Sequence, residues 1–430
     1  MHFTTCYALN QSTHLFFFPK LLGIYWYFGC IPGLCFCSKE QPSQAFFQVH
    51  NALCMTRVQL TYPAHPDECC SSCAMELCHT CACTAKNLNR LGLVEEHTLI
   101  RLITDGLPAC WDSQLFIKDL HFDGVPVRIY LPKEPSASKR RGVIFIHGGC
   151  GIFGSFSKEL KEKMRLFSFF NSRKSDSVVV SVGYHLAPEQ KYPAQTLECL
   201  SATLHFLKTA ETYGVDPARI IVCGDSVGGT FTATVCQELG NRTDIPKIRA
   251  QVLIYPFLQA LTFNLPSHQK NSAVAFLTQE RTVRFLLKYL NKDCSLKEPI
   301  LAGSHVPESI NSKYRKWINP DLIPDAFKLG YKPPLPALFS PRVHQEVQEL
   351  FEPWVSPLLA EDAVVCGVPD TCIVTCEHDV LRDEGLLYKK RLEDNNVRVT
   401  WHHVEKGFHS ALGFFGYGIF SFPSSNLGCG

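Results

Sequence analysis

The chain has 430 residues, a mass of 48.4 kDa, 46% apolar and 19% charged residues, and a net charge of +2. That apolar content supports a sizeable buried core, and the near-neutral balance does not point to nucleic-acid binding, which needs a basic face or stripe. One large domain with an N-terminal addition fits the length better than two equal domains.

Residues 1–114 read as that addition. Within it, residues 15–37 (LFFFPKLLGIYWYFGCIPGLCFC) are apolar apart from Lys20. The 17 residues from Leu21 to Cys37 carry no charge, which is the short end of a bilayer-spanning helix. A membrane anchor is the expectation. A cleaved signal peptide and an ordinary apolar stretch compete with it, the former without a clean small-residue cleavage site. Eleven of the 21 cysteines fall within residues 6–83. Residues 69–83 (CCSSCAMELCHTCAC) hold two Cys-x-x-Cys pairs, Cys70/Cys73 and Cys78/Cys81, with His79 between them. The pairs resemble zinc half-sites, but a structural zinc site separates them by a longer loop. Disulfides, acylated cysteines near a membrane or an unstructured stretch are the plainer readings and are favoured over zinc.

From residue 115 the pattern becomes regular. The segments QLFIKDLHF and VPVRIYL alternate like half-buried antiparallel strands joined at Asp123-Gly124. Short apolar runs follow: RRGVIFIHGG, then residues 177–184, 219–226, 250–256, 371–379 and 397–404. Helical periodicity occupies roughly 156–170, 195–213, 227–240 and 381–394. This alternation predicts the α/β class, with a mostly parallel central sheet flanked by helices. Ligands of such sheets bind beyond the carboxyl ends of the strands. Residues 257–350 break the rhythm with several prolines and no clear strand. They are expected to form a helical, cap-like insertion in a catalytic domain spanning 115–424.

Gly224-Asp225-Ser226-Val227-Gly228 follows an apolar strand and opens a helix, the context of a nucleophile elbow. The glycines suit a turn in which a Cβ collides with neighbouring chain. An ordinary glycine-rich turn carries the same pentapeptide, so the flanking strand and helix decide in favour of Ser226 as nucleophile. His147-Gly148-Gly149 follows another apolar strand. The N–H groups of Gly148 and Gly149, with that of Val227, are the expected oxyanion donors, and His147 opens their loop. Asp379 ends the strand TCIVTCEH and matches the chain order Ser, Asp, His. Asp383 and Glu384 compete for its role, and the strand-end position favours Asp379. His409 follows the last strand, where it can serve as base. His402 and His403 lie within that strand and are expected to be packing or surface residues. The serine hydroxyl needs the base, and the imidazole needs the acid to fix its tautomer.

Together these residues resemble the hormone-sensitive-lipase branch of the α/β-hydrolases, and more narrowly the arylacetamide deacetylase-like family. The resemblance covers about residues 115–424. It rests on HGG at 147–149, YHLAPE at 184–189, YGVDPARIIVCGDSVGG at 213–229, RAQVLIYP at 249–256, CEHDVLRDEGLLYKKRLED at 376–394 and VTWHHVEKGFHS at 399–410. It implies an α/β-hydrolase fold with a cap and a serine carboxylic-ester or arylacetamide hydrolase. It also implies a small acyl ester or amide substrate and no metal or organic cofactor. A single N-terminal anchor would leave the catalytic domain in the endoplasmic reticulum lumen, where the sequon Asn241-Arg242-Thr243 is usable.

The chain departs from the family where a third glycine is usual and Cys150 stands instead, followed by Gly151. A side chain there either points away or enters the acyl pocket, and its thiol is expected to make the enzyme sensitive to thiol reagents. The first hundred residues match the family's anchor region poorly, and SFPSSNLGCG stands where the family continues with a terminal helix. A catalytically impaired hydrolase-like binding or membrane-associated module is therefore the alternative function.

Overall fold

The computed structural model describes residues 114–154 and 175–411, apart from residues 273, 275 and 276. The anchor at 15–37, the cysteine cluster at 69–83, the helix expected at 156–170 and the chain after residue 411 lie outside them.

Among the described residues, eight strands form one sheet: β1 (Leu115–Phe122), β2 (Val125–Pro132), β3 (Arg140–Ile146), β4 (Ser177–Val182), β5 (Val215–Asp225), β6 (Ala250–Ile254), β7 (Asp370–His378) and β8 (Val399–Phe408). Their spatial order is β1-β2-β4-β3-β5-β6-β7-β8. The hairpin β1–β2 and the pair β2–β4 are antiparallel, and the remaining neighbours are parallel. The sequence accounts for the difference. In β1 only the end residues Leu115 and Phe122 are buried, as in an edge strand open to water, whereas all six residues of β4 are buried, as in a strand covered on both faces.

Two strand limits differ from the sequence expectation. The strand β5 begins at Val215 rather than 219, because Val215 pairs with Arg140 across an irregularity that a local pattern does not reveal. The strand β8 runs to Phe408 rather than stopping at 404, with Phe408 paired to His378 after a register shift. The longer β8 delivers His409 directly from a strand end.

Helices α1 (Ala194–Thr209) and α2 (Val227–Gly240) follow β4 and β5. Residues 257–350 contain only short elements: α3 (Pro266–Lys270), α4 (Gln279–Tyr289), α5 (Lys297–Ala302), α6 (Glu308–Tyr314), α7 (Pro341–Glu346) and several 3-10 turns. Helix α8 (Asp362–Val365) precedes β7, and α9 (Arg382–Asp394) joins β7 to β8. The main core buries Ile144, Ile146, Val178, Val180, Val182 and Val222 of the sheet under Phe206 of α1 and Phe231 of α2. Burying each such side chain stabilises the fold by roughly 1.5–3 kcal/mol. That core fixes the positions from which the strand ends present their side chains.

Candidate active site

The carboxyl ends of β3, β5, β7 and β8 bring together residues far apart in sequence. Ser226 follows β5 and caps α2 with φ +56° and ψ −124°, a conformation that only a tightly determined turn holds. The residues two positions to either side, Gly224 and Gly228, must be glycine. A Cβ on Gly224 would lie 2.1 Å from the Gly228 carbonyl oxygen, and one on Gly228 would lie 2.1 Å from that of Ile146. The Ser226 N–H donates to the Ile254 carbonyl (2.9 Å), which pins the elbow to the end of β6.

The Ser226 hydroxyl lies 2.9 Å from His409 Nε2, and His409 Nδ1 lies 2.9 Å from Asp379 Oδ2. All three residues are buried. The other carboxylate oxygen of Asp379 accepts from the Leu381 N–H (2.9 Å), so the carboxylate is held at both ends. Carboxylate on Nδ1 leaves the Nε2 lone pair for the serine proton. The two competing acids are engaged elsewhere. Asp383 pairs with Arg382 (2.9 Å) and accepts from the Ser267 N–H (2.6 Å). Glu384 accepts from the N–H groups of Leu258 (2.6 Å) and Gln259 (3.2 Å). His403 bonds Thr375 and Glu377, a packing role as expected from its place within β8.

The glycine loop after β3 corrects one expectation. The Gly148 N–H donates to Asp225 Oδ1 at 2.8 Å and is therefore not offered to a ligand. The N–H groups of Gly149, Cys150 and Val227 have no acceptor among the described residues. Gly149 has φ +107° and Cys150 φ +57°, so the chain turns sharply at these two residues. The His147 ring stacks on Tyr184 (4.2 Å), and Tyr184 donates to the His147 carbonyl (2.8 Å). Burial lowers the His147 pKa to about 4, against a hydrogen bond to the Gly148 carbonyl, so the ring is neutral at pH 7. His147 shapes the loop rather than donating into the site.

Cys150 enters the pocket wall. It lines a cavity over Ser226 with Val227, Phe231, Phe257, Leu286, Tyr289 and Leu381. The lining is almost wholly apolar, and part of it comes from α4. The thiol is pushed up to about 12, chiefly by burial and then by Asp225, so the protonated form dominates at neutral pH. The expected sensitivity to thiol reagents is thus weaker than exposure alone would give. Two contributors carried no signal in the sequence: Asp225, whose clamp on Gly148 spans 77 positions, and Tyr289, whose ring a Cβ on Gly151 would meet at 2.5 Å. Among the described residues, no group of three His, Cys, Asp or Glu side chains is arranged to hold a metal.

Sheet order, elbow and site define an α/β-hydrolase, and the model of the alpha/beta hydrolase fold family matches residues 143–310 and 338–413. The chain is 43% identical over 337 residues to arylacetamide deacetylase-like 4 of Homo sapiens, covering 78% of this chain and 82% of that one. It is 39% identical over 314 residues to arylacetamide deacetylase of Bos taurus, covering 72% and 77%. An esterase structure from Pseudomonas putida superposes with a TM-score of 0.54 at 22% identity, covering 76% of this chain and 85% of that one, a likeness of fold. The chain belongs to the arylacetamide deacetylase-like family of α/β-hydrolases.

Proposed function

We propose that Ser226, His409 and Asp379 carry the chemistry of a carboxylic ester hydrolase that also accepts arylacetamides. One observation supports this above the others: the continuous Asp379–His409–Ser226 relay, with both contacts at 2.9 Å, at the base of an apolar cavity. The Ser226 oxygen attacks the substrate carbonyl while His409 Nε2 takes its proton. The tetrahedral oxyanion faces the N–H groups of Gly149, Cys150 and Val227. Collapse expels the alcohol or amine, which takes the proton from His409. Water then attacks the acyl-enzyme, giving its proton to His409, and the acid leaves as Ser226 is regenerated. The apolar wall suits a small acyl chain and an aryl or alkyl leaving group, because it offers little to a charged substrate.

Ser226→Ala with a p-nitrophenyl ester series tests the assignment. Abolished turnover and lost fluorophosphonate labelling, with an unchanged fold, support it. Labelling of the parent at another residue, or turnover retained in the variant, overturns it in favour of a different nucleophile; a parent that is neither labelled nor active overturns it in favour of a non-catalytic module. We also propose an endoplasmic reticulum membrane location with a lumenal catalytic domain, supported by the family resemblance and the apolar run at 15–37. Among the described residues, no helix is long and apolar enough to cross a membrane.

A further inference from the structure

Of the six large apolar side chains that stand exposed among the described residues, four lie in one stretch: Leu329, Leu335, Leu338 and Phe339. Leu335 and Leu338 are 90% and 91% exposed. The stretch is anchored at both ends. The Lys332 N–H donates to Gln269 Oε1 (3.2 Å), and the Lys332 carbonyl accepts from Gln269 Nε2 (2.7 Å). The Ser340 N–H donates to the Ser304 carbonyl (2.8 Å). Between these ties every residue from Lys332 to Phe339 is exposed. Exposed apolar side chains gathered in this way mark an interaction surface rather than the scattered residues of an ordinary exterior.

We propose that this loop docks on a lipid surface bearing anionic headgroups, inserting Leu335, Leu338 and Phe339. Charge complementarity carries the choice of partner. From Ala326 to Gln345 there is no acidic residue, while Lys328, Lys332 and Arg342 flank the apolar tip. Lys328 and Arg342 pair with Asp325 and Glu346 just beyond that window. An apolar tip with cations at its base matches acyl chains beneath a layer of negative headgroups. The backbone fits as well. Pro333, Pro334 and Pro336 have no N–H, so the tip brings fewer unsatisfied donors into an apolar phase and cannot add as a strand to a protein sheet edge. The loop also leads toward the cavity. Phe339 meets His344 at 5.7 Å, His344 meets Phe351 at 5.2 Å, and Trp354 and Val355 follow on the cavity wall.

The test uses the full chain as Leu338→Trp, with vesicles of phosphatidylcholine and phosphatidylserine whose acyl chains are brominated. The parent chain, with its own five tryptophans, is the reference. The added emission should shift to the blue and be quenched by bromine, whatever other segment also binds the vesicle. A second variant, Leu335→Ser/Leu338→Ser/Phe339→Ser, should lose at least about tenfold in turnover of an ester carried in those vesicles and keep its turnover of a water-soluble ester. An added tryptophan that stays open to aqueous iodide with vesicles present overturns the proposal, as does a triple variant equal to the parent. Equal insertion into vesicles of phosphatidylcholine alone overturns the role given to the cations. Capture of the loop by a purified proline-recognition domain, without vesicle insertion, also overturns it. The tryptophan readout does not need activity, so failure of the assigned chemistry remains distinguishable.

Discussion

The Gly148 N–H donates to Asp225 Oδ1 at 2.8 Å, which ties the loop after β3 to the residue that precedes Ser226. The glycine loop after β3 and the turn at Ser226 are thereby one unit, although 77 positions separate the two partners. A Cβ on Gly148 would lie 2.7 Å from the Asp225 carbonyl oxygen and 3.0 Å from Ser226 Cβ, so the two turns leave no slack.

Asp225→Ala should therefore lower kcat by about 10- to 100-fold through displaced oxyanion donors, with a smaller change in KM, since a 1 Å misplacement costs on the order of 10²-fold. Steady-state kinetics on a short p-nitrophenyl ester decide it. A parent-like kcat in the variant means the loop holds its shape without the clamp.

Asp379→Asn should cost about 10⁴-fold in kcat with little loss of fold, because the wrong His409 tautomer then faces Ser226. Asp383→Asn should show the opposite profile. Its partner Arg382 is fully buried and keeps Glu377 at 3.3 Å, so weakening the contact with Asp383 should cost about 1.5–3 kcal/mol of stability. Melting curves set beside kcat separate the two substitutions, and interchanged profiles would mean the acid has been misassigned.

Cys150 sits at φ +57°, where a residue with a Cβ gives up about 1–2 kcal/mol that glycine does not. Cys150→Gly should raise stability and kcat for short esters and widen tolerance for bulkier acyl groups, since a wall atom leaves the cavity. Alkylation of the parent should be slow at pH 7 and accelerate toward pH 10, because the thiol is raised to about 12. Rapid loss of activity to iodoacetamide at pH 7 would count against the protonated thiol.

Glu384 is fully buried, and burial raises its pKa to about 8, with the hydrogen bonds from Leu258 and Gln259 opposing. His268 lies 3.7 Å away, and burial lowers its pKa to about 3. Between pH 7.5 and 8.5, His268 is largely neutral in both the folded and unfolded chains, so Glu384 governs that pair's response. Its folded pKa lies above the unfolded value, so the folded state holds the extra proton and stability falls as pH rises through this window. Glu384→Gln keeps an acceptor for the two N–H groups and should flatten the dependence. Melting temperatures of both chains at pH 7.5 and 8.5 check this: a parent that is more stable at pH 8.5 reverses the sign.

The sequence by itself determined the strands, the elbow around Ser226 and the chain order of Ser226, Asp379 and His409. These are local matters: apolar runs that end in glycine or an acid, and a turn that tolerates no Cβ. It also marked the hairpin at Asp123-Gly124 and the strandless stretch at 257–350. The tertiary structure alone decided which groups meet. That Gly148 spends its N–H on Asp225, that Cys150 faces the cavity and that Tyr289 closes against Gly151 follow from strand order, since β3 lies beside β5 and the 257–350 stretch brings Tyr289 to Gly151. Which of three neighbouring acids reaches His409 is settled the same way. Asp383 and Glu384 turn toward α3 and the residues after β6, and Asp379 alone stands at a strand end beside β8. Periodicity reports which face of an element is buried; it is silent on what is packed against that face, because that depends on contacts between segments a hundred residues or more apart.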